Sequence, residues 1–207
     1  MKLFYSPGAC SLGIHLLLEE IGKPYSLSLV DLKSGAQYAP DYVKLNPKSK
    51  VPALLRDDDT LLTEYPAIAM WLAKSNPDKK LLPADLEGEV RTLELVDYVV
   101  ATLHMQGFSR LFRPDKFSSI ESEQEAVRAA GREIIAKGLE HVSKQIGDQS
   151  YAIGDHFTIA DSALFYLLFW VIDLFKIEVP ANIKTYFEGL KARPAARKVL
   201  ADEGFGG

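Results

Sequence analysis

Ser6-Pro7-Gly8-Ala9-Cys10-Ser11 separates a strand-like stretch from the first helix and holds the only cysteine of the chain. Ahead of it, Lys2-Leu3-Phe4-Tyr5 reads as a short strand. After it, Leu12, Ile14, Leu16, Leu17, Leu18 and Ile21 read as a helix with one apolar side. The thiol therefore falls where a strand ends and a helix begins. Free N–H groups and the helix dipole at such a point favour an anion. A thiolate is the reactive form of cysteine, and a helix N-terminus lowers the thiol's pKa. A lone cysteine also reads as a small buried apolar residue. Pro7-Gly8 and the helix start favour the other reading, an exposed turn that presents a functional thiol.

Working outward, Gly22 is placed to cap the first helix and Pro24 cannot continue it. Tyr25, Leu27 and Leu29 alternate with Ser26 and Ser28, which predicts a second strand. A strand–helix–strand unit of this length implies a parallel pair with a right-handed crossover. The polar run from Asp31 to Leu45 suits a short irregular helix. Asn46-Pro47-Lys48-Ser49-Lys50 is a loop, and Val51 to Arg56 a strand that carries Pro52 near its start. Asp57-Asp58-Asp59 is a turn, with Thr60-Leu61-Leu62 pairing back as a hairpin. Those aspartates lack the spacing and glycine of a calcium loop. Thr63 can cap the next helix with Pro66 in its first turn, burying Ile68, Trp71 and Leu72. Glu64 either helps that cap or receives a ligand's ammonium group.

The best domain boundary is the polar, proline-marked stretch from Asn76 to Asp85. It divides the chain into residues 1–76, a linker at 77–86, and a helical half at 87–207. Leu86 to Phe112 and Glu121 to Ile146 carry apolar stripes at helical spacing. Thr158-Ile159-Ala160-Asp161 has the form of a capping box. The following stretch, Ala163 to Phe175, is apolar nearly all round and reads as the centre of a bundle. Two short helices, Ile183 to Lys191 and Pro194 to Asp202, close the chain. The expected fold class is therefore an α/β first domain followed by an all-α helical bundle.

The 207 residues are 47% hydrophobic, enough for a sizeable core, and the formal charge of −4 argues against nucleic acid as the main partner. One cysteine excludes an intrachain disulfide framework and suits a reducing, cytoplasmic setting. The longest apolar run, Leu164 to Ile172, is too short to cross a bilayer, so no membrane partner is expected. His15, His104, His141 and His156 form no metal-ligand spacing with one another or with Cys10, so no metal is expected. His15, on the first helix near Cys10, reads as structural rather than catalytic.

Ser6 to Leu12, Asn46-Pro47-Lys48 with Val51-Pro52, and Leu62-Thr63-Glu64 together resemble the motifs of glutathione transferases, most closely the bacterial beta class. The resemblance spans the whole chain. It implies a thioredoxin-like first domain, a cis Val51–Pro52 bond, a homodimer, and glutathione as co-substrate. It implies that the Val51 backbone pairs with the cysteinyl part of glutathione, that Glu64 and Tyr65 hold the γ-glutamyl end, and that Cys10 faces the sulfur, with Lys33, Lys50 and Pro52 nearby. Cys10 or Ser11 would be the main catalytic group; Tyr5 takes a lesser role. An electrophile pocket would lie between the domains, lined by Phe108, Leu111, Phe112, Tyr166 and Trp170, although these aromatics also read as ordinary core.

Three departures stand out. Bulky Tyr65 follows the motif Glu where Ser, Gly or Asn is common. The loop after the second strand is about one residue short, so Gly35 falls at the usual lysine position with Lys33 close by. On the long helix, Tyr98, Met105 and Gln106 take the places of Asn, His and Lys, and His104 is out of phase by roughly 100°. These predict weakened glutathione contacts. Two reactions fit: attack of glutathione thiolate on a small hydrophobic electrophile, or thiol transfer and peroxide reduction through a Cys10 mixed disulfide. The competing class is a non-enzymatic regulatory or interaction protein on the same scaffold.

Overall fold

The computed structural model describes residues 1–206. Its first part is a four-stranded sheet in the order β2-β1-β3-β4. Strand β1 (Lys2–Tyr5) pairs in parallel with β2 (Ser26–Leu29) and antiparallel with β3 (Ala53–Leu55), which forms the hairpin with β4 (Leu61–Thr63). The crossover between β1 and β2 is α1 (Ser11–Ile21), closed by Gly22 in the left-handed conformation at φ 73°, as expected of a glycine cap. Helix α2 (Pro40–Leu45) is short, and α3 (Tyr65–Lys74) follows β4.

Helix α1 differs from its sequence reading. Leu12, Gly13, Ile14, His15, Leu16, Leu17 and Leu18 are all buried, so the helix has no polar face over this stretch. The cause lies far along the chain: α7 (Ile159–Leu168) covers the side that the sheet leaves open. Gly13 allows that approach. A Cβ there would lie 2.4 Å from Tyr65 Oη and 2.5 Å from the Ser162 carbonyl oxygen.

In the helical half, α4 (Leu86–Asp97) runs on through a π-wound stretch, Tyr98–Phe108, into α5 (Ser109–Phe112). It packs against α6 (Gln124–Ile146), where Gly131 and Gly138 leave room for Leu111 and Leu103. Helix α7 begins at the expected capping box. Thr158 Oγ1 accepts from the Ala160 N–H, and Asp161 Oδ2 accepts from the Thr158 N–H at 2.7 Å. A second π-wound stretch, Phe169–Leu174, extends α7, and α8 (Ala181–Lys191) and α9 (Pro194–Asp202) close the bundle. Every residue of α7 is buried, in line with its all-round apolar sequence. No helix among the described residues is long and apolar enough to cross a membrane.

Candidate active site

The loop between β1 and α1 turns at Gly8, whose φ of +68° is a conformation that glycine adopts without strain. The Ala9 N–H bonds the Ser6 carbonyl at 3.0 Å, and Cys10 becomes the residue that leads into α1. Its Sγ lies 3.5 Å from the Val51 carbonyl oxygen, and the Val51–Pro52 bond is cis. The loop that carries Val51 is held from below. Tyr42 Oη and Asn46 Nδ2 both donate to the Lys50 carbonyl, at 2.7 and 2.9 Å.

The thiol's acidity is the reverse of the sequence expectation. The Cys10 and Ser11 N–H groups and the Lys50 ammonium favour the thiolate, yet burial outweighs them and pushes the Cys10 thiol up to about 12. Cys10 is therefore a neutral thiol at pH 7, a hydrogen-bond donor before it is a nucleophile. Ser11 does not stand beside it as an alternative. It is fully buried, and its hydroxyl is spent on the loop itself, accepting from the Ser6 N–H at 3.2 Å and donating to the Ser6 carbonyl at 3.3 Å.

Glu64, rather than Thr63, is the residue at the start of α3, and its side chain makes no capping hydrogen bond. Its φ of +71° is costly for a residue other than glycine, by about 1–3 kcal/mol, and such strain concentrates at functional sites. The carboxylate points outward and is met by Lys48 Nζ at 2.8 Å, which also donates to Thr63 Oγ1 at 3.0 Å. Sequence reasoning places Lys48 only within a motif and misses this contact. Its one signal is a cation in the loop facing an exposed glutamate.

Tyr65 corrects a second expectation. Its bulk does not enter the cleft. The side chain turns inward, with Oη 2.8 Å from Ser162 Oγ and the ring 5.1 Å from that of Tyr166, in the space left by Gly13. Only its main chain lies beside Glu64. Lys33 is exposed in the turn after β2, where its N–H bonds Asp31 Oδ1 at 3.0 Å, and no hydrogen bond of the described residues joins it to Cys10 or Glu64. Lys50 is exposed, and its charge acts on both Cys10 and His104.

On the long helix, His104 points away from Met105 and Gln106. His104 faces α7, with its ring 4.7 Å from Trp170 and Nδ1 3.5 Å from Tyr166 Oη. Met105 and Gln106 face outward, and Tyr98 meets His141 of α6 edge to face. The chain here forms i to i−5 bonds, a winding that still sends adjacent side chains in well-separated directions. Burial, with a smaller contribution from Lys50, lowers the His104 pKa to about 4, so the imidazole is neutral at pH 7.

Four of the five pocket candidates, Phe108, Phe112, Tyr166 and Trp170, come together, mostly as core, while Leu111 packs towards Gly131 of α6. Phe108, Leu111, Tyr166 and Trp170 are buried, while Phe112 is 42% exposed. Trp170 donates its Nε1–H to the Gly8 carbonyl at 2.6 Å, so it braces the thiol loop. His15 is buried between Glu203 Oε1 and Tyr25 Oη, each at 2.9 Å, which supports its structural reading. His15, Glu19 and Asp202 do place ligand-type atoms within 4.8 Å of one another, a grouping that histidine spacing alone did not predict. Lys198 Nζ already bonds both carboxylates, at 3.1 and 2.6 Å, and offsets part of their charge.

Comparison with known proteins shows the family of the chain. A family model described as glutathione S-transferase, N-terminal domain, matches residues 8–75, and one described as glutathione S-transferase, C-terminal domain, matches residues 125–201. Glutathione S-transferase GstA of Escherichia coli O157:H7 is 41% identical, with 99% of each chain covered. The bacterial beta class glutathione S-transferase of Sphingomonas chungbukensis is 32% identical with a TM-score of 0.85, over 99% of this chain and 100% of that one. A glutathione transferase homolog from Sulfitobacter, solved with bound glutathione, is 29% identical with a TM-score of 0.90, over 99% and 98% of the two chains. The chain belongs to the glutathione S-transferase family and is similar to members of its bacterial beta class.

Proposed function

We propose that this chain binds glutathione in the cleft between Cys10, Val51 and Glu64 and activates its sulfur for attack on a small hydrophobic electrophile. The observation that carries this reading is the Cys10 thiol lying on the Val51 carbonyl while Glu64, near enough for its charge to act on Cys10, offers an exposed carboxylate. The ligand's ammonium group would replace Lys48 on Glu64. Its cysteinyl unit would pair with the Val51 backbone, bringing its sulfur to Cys10. The neutral Cys10 thiol then donates a hydrogen bond to the glutathione thiolate, which favours the ionised form. The thiolate attacks carbon, an S–C bond forms, and the leaving group departs with its electron pair. His104 is too weak a base at neutral pH to hold the released proton, which passes to solvent. The raised Cys10 pKa disfavours the mixed-disulfide route, since that needs a Cys10 thiolate. A non-enzymatic role is not favoured, because relatives over the full chain are named as transferases.

Titration calorimetry with reduced glutathione tests the reading. The unaltered protein is expected to bind at millimolar affinity or better. Glu64→Gln removes a charged hydrogen-bond partner and is expected to weaken binding by about 1.5–3 kcal/mol, roughly 10- to 150-fold. Absence of any binding heat in the unaltered protein would overturn it.

The proposed assembly is a cytoplasmic homodimer. Leu86 and Val90, 77% and 51% exposed on α4, provide apolar surface for a second copy. Light scattering is expected to give twice the chain mass, and a monomeric mass would refute the dimer.

A further inference from the structure

We infer that the C-terminal residues Glu203 to Phe205 are a positioning strap for Cys10, which controls how the thiol is presented. The inference rests on the reading of the Cys10 loop as the reacting site. Gly8 lies two residues ahead of Cys10, and both of its backbone polar groups are held by the helical half of the molecule. Its N–H donates to Glu203 Oε2 at 2.8 Å, and its carbonyl accepts from Trp170 Nε1 at 2.6 Å. The other carboxylate oxygen, Glu203 Oε1, is 2.9 Å from His15 Nδ1, on the helix that Cys10 opens. One carboxylate thus ties the backbone before Cys10 to the helix after it.

Phe205 completes the strap. Its N–H bonds the Leu200 carbonyl at 2.6 Å, which folds the tail back over α9. Its ring lies 4.8 Å from that of Phe169 and closes over Gly8, where an added Cβ would come within 2.9 Å of the Phe205 ring. The Glu203 side chain is completely buried. Burying a carboxylate is costly unless its oxygens are well partnered, and here both are committed to the two sides of Cys10. With the peptide of Gly8 fixed, the thiol is held against the Val51 carbonyl and stays protonated. Release of the strap lets the loop rotate, hydrates the thiol and lowers its pKa.

The test uses the chain's single cysteine as its own reporter. Iodoacetamide labelling of Cys10 is timed at pH 8 without glutathione, for the unaltered protein, Phe205→Ala and Glu203→Gln, beside a thermal melt of each. Labelling is expected to quicken at least tenfold in both variants. Phe205→Leu, which refills the cover over Gly8, is expected to return the slow rate. A purely structural role would move the melt and leave labelling of the folded protein unchanged. If Glu203→Gln does not fold, Phe205→Ala alone decides, since Phe205 lies at the half-exposed end of the chain. An unchanged labelling rate in folded Phe205→Ala overturns the strap. Labelling needs no glutathione, so failure of the strap is separate from failure of the glutathione reading, which calorimetry reports.

Discussion

Iodoacetamide at pH 7 is expected to alkylate Cys10 about 30- to 100-fold more slowly than an ordinary exposed thiol. Burial raises the thiol from 9.0 to about 12. Three units lower the thiolate fraction about a thousandfold, while the more basic thiolate is intrinsically more nucleophilic by about 10- to 30-fold. The loss of thiolate wins. The sign fixes the profile. Because the folded pKa lies above the ordinary one, the thiol stays protonated through neutral pH, and the rate should climb about tenfold per pH unit with no plateau below pH 10. A plateau near pH 8 would restore the thiolate expected from the helix N-terminus and, with it, the mixed-disulfide route. The same reasoning ranks two substitutions in a conjugation assay. Cys10→Ser keeps a donor and should hold kcat within about tenfold. Cys10→Ala removes a hydrogen bond to a charged sulfur, about 1.5–3 kcal/mol, and should lower kcat about 10- to 150-fold.

What was legible in the chain was local. The order of strands and helices, the Gly22 cap, the hairpin after Leu55 and the Thr158 box each declare themselves within a few residues, through alternation, turn chemistry or capping. The motifs around Cys10, Val51 and Glu64 were equally local. What was not legible depends on partners far away. Tyr65 reads as an obstacle to a ligand until Gly13 and Ser162 are seen to make room for it elsewhere. Ser11 is the exception: its hydroxyl closes on Ser6 only five positions back, through a loop geometry that no periodicity encodes. The role of Glu203 depends on a contact with Gly8 across 195 positions, beyond the reach of any periodicity.

Replacing Asp161 is expected to produce a large loss of stability for a single polar substitution. Its carboxylate is fully buried and accepts from four donors: the Ala152 N–H at 2.8 Å, Tyr186 Oη at 2.6 Å, the Thr158 N–H at 2.7 Å and Thr158 Oγ1 at 3.0 Å. It therefore joins the start of α7 to the loop before it and to α8. Burial works against its charge and holds its pKa above the usual carboxylate range, although the four donors pull the other way. Asp161→Ala leaves two buried backbone N–H groups without partners, each costing about 1–3 kcal/mol, and also forfeits the cap. A total of about 3–5 kcal/mol should lower the thermal midpoint by roughly 10 °C in a chain of this size. Asp161→Asn tests whether shape alone suffices. Each carboxylate oxygen faces one backbone N–H and one hydroxyl. The hydroxyls can rotate to accept, but a backbone N–H cannot, so the amide's NH2 must confront one of them in either orientation. Asn should therefore recover only part of the loss, and a melt of Asp161→Asn within about 2 °C of the unaltered protein would show that the site needs the shape of the side chain and not its two acceptors.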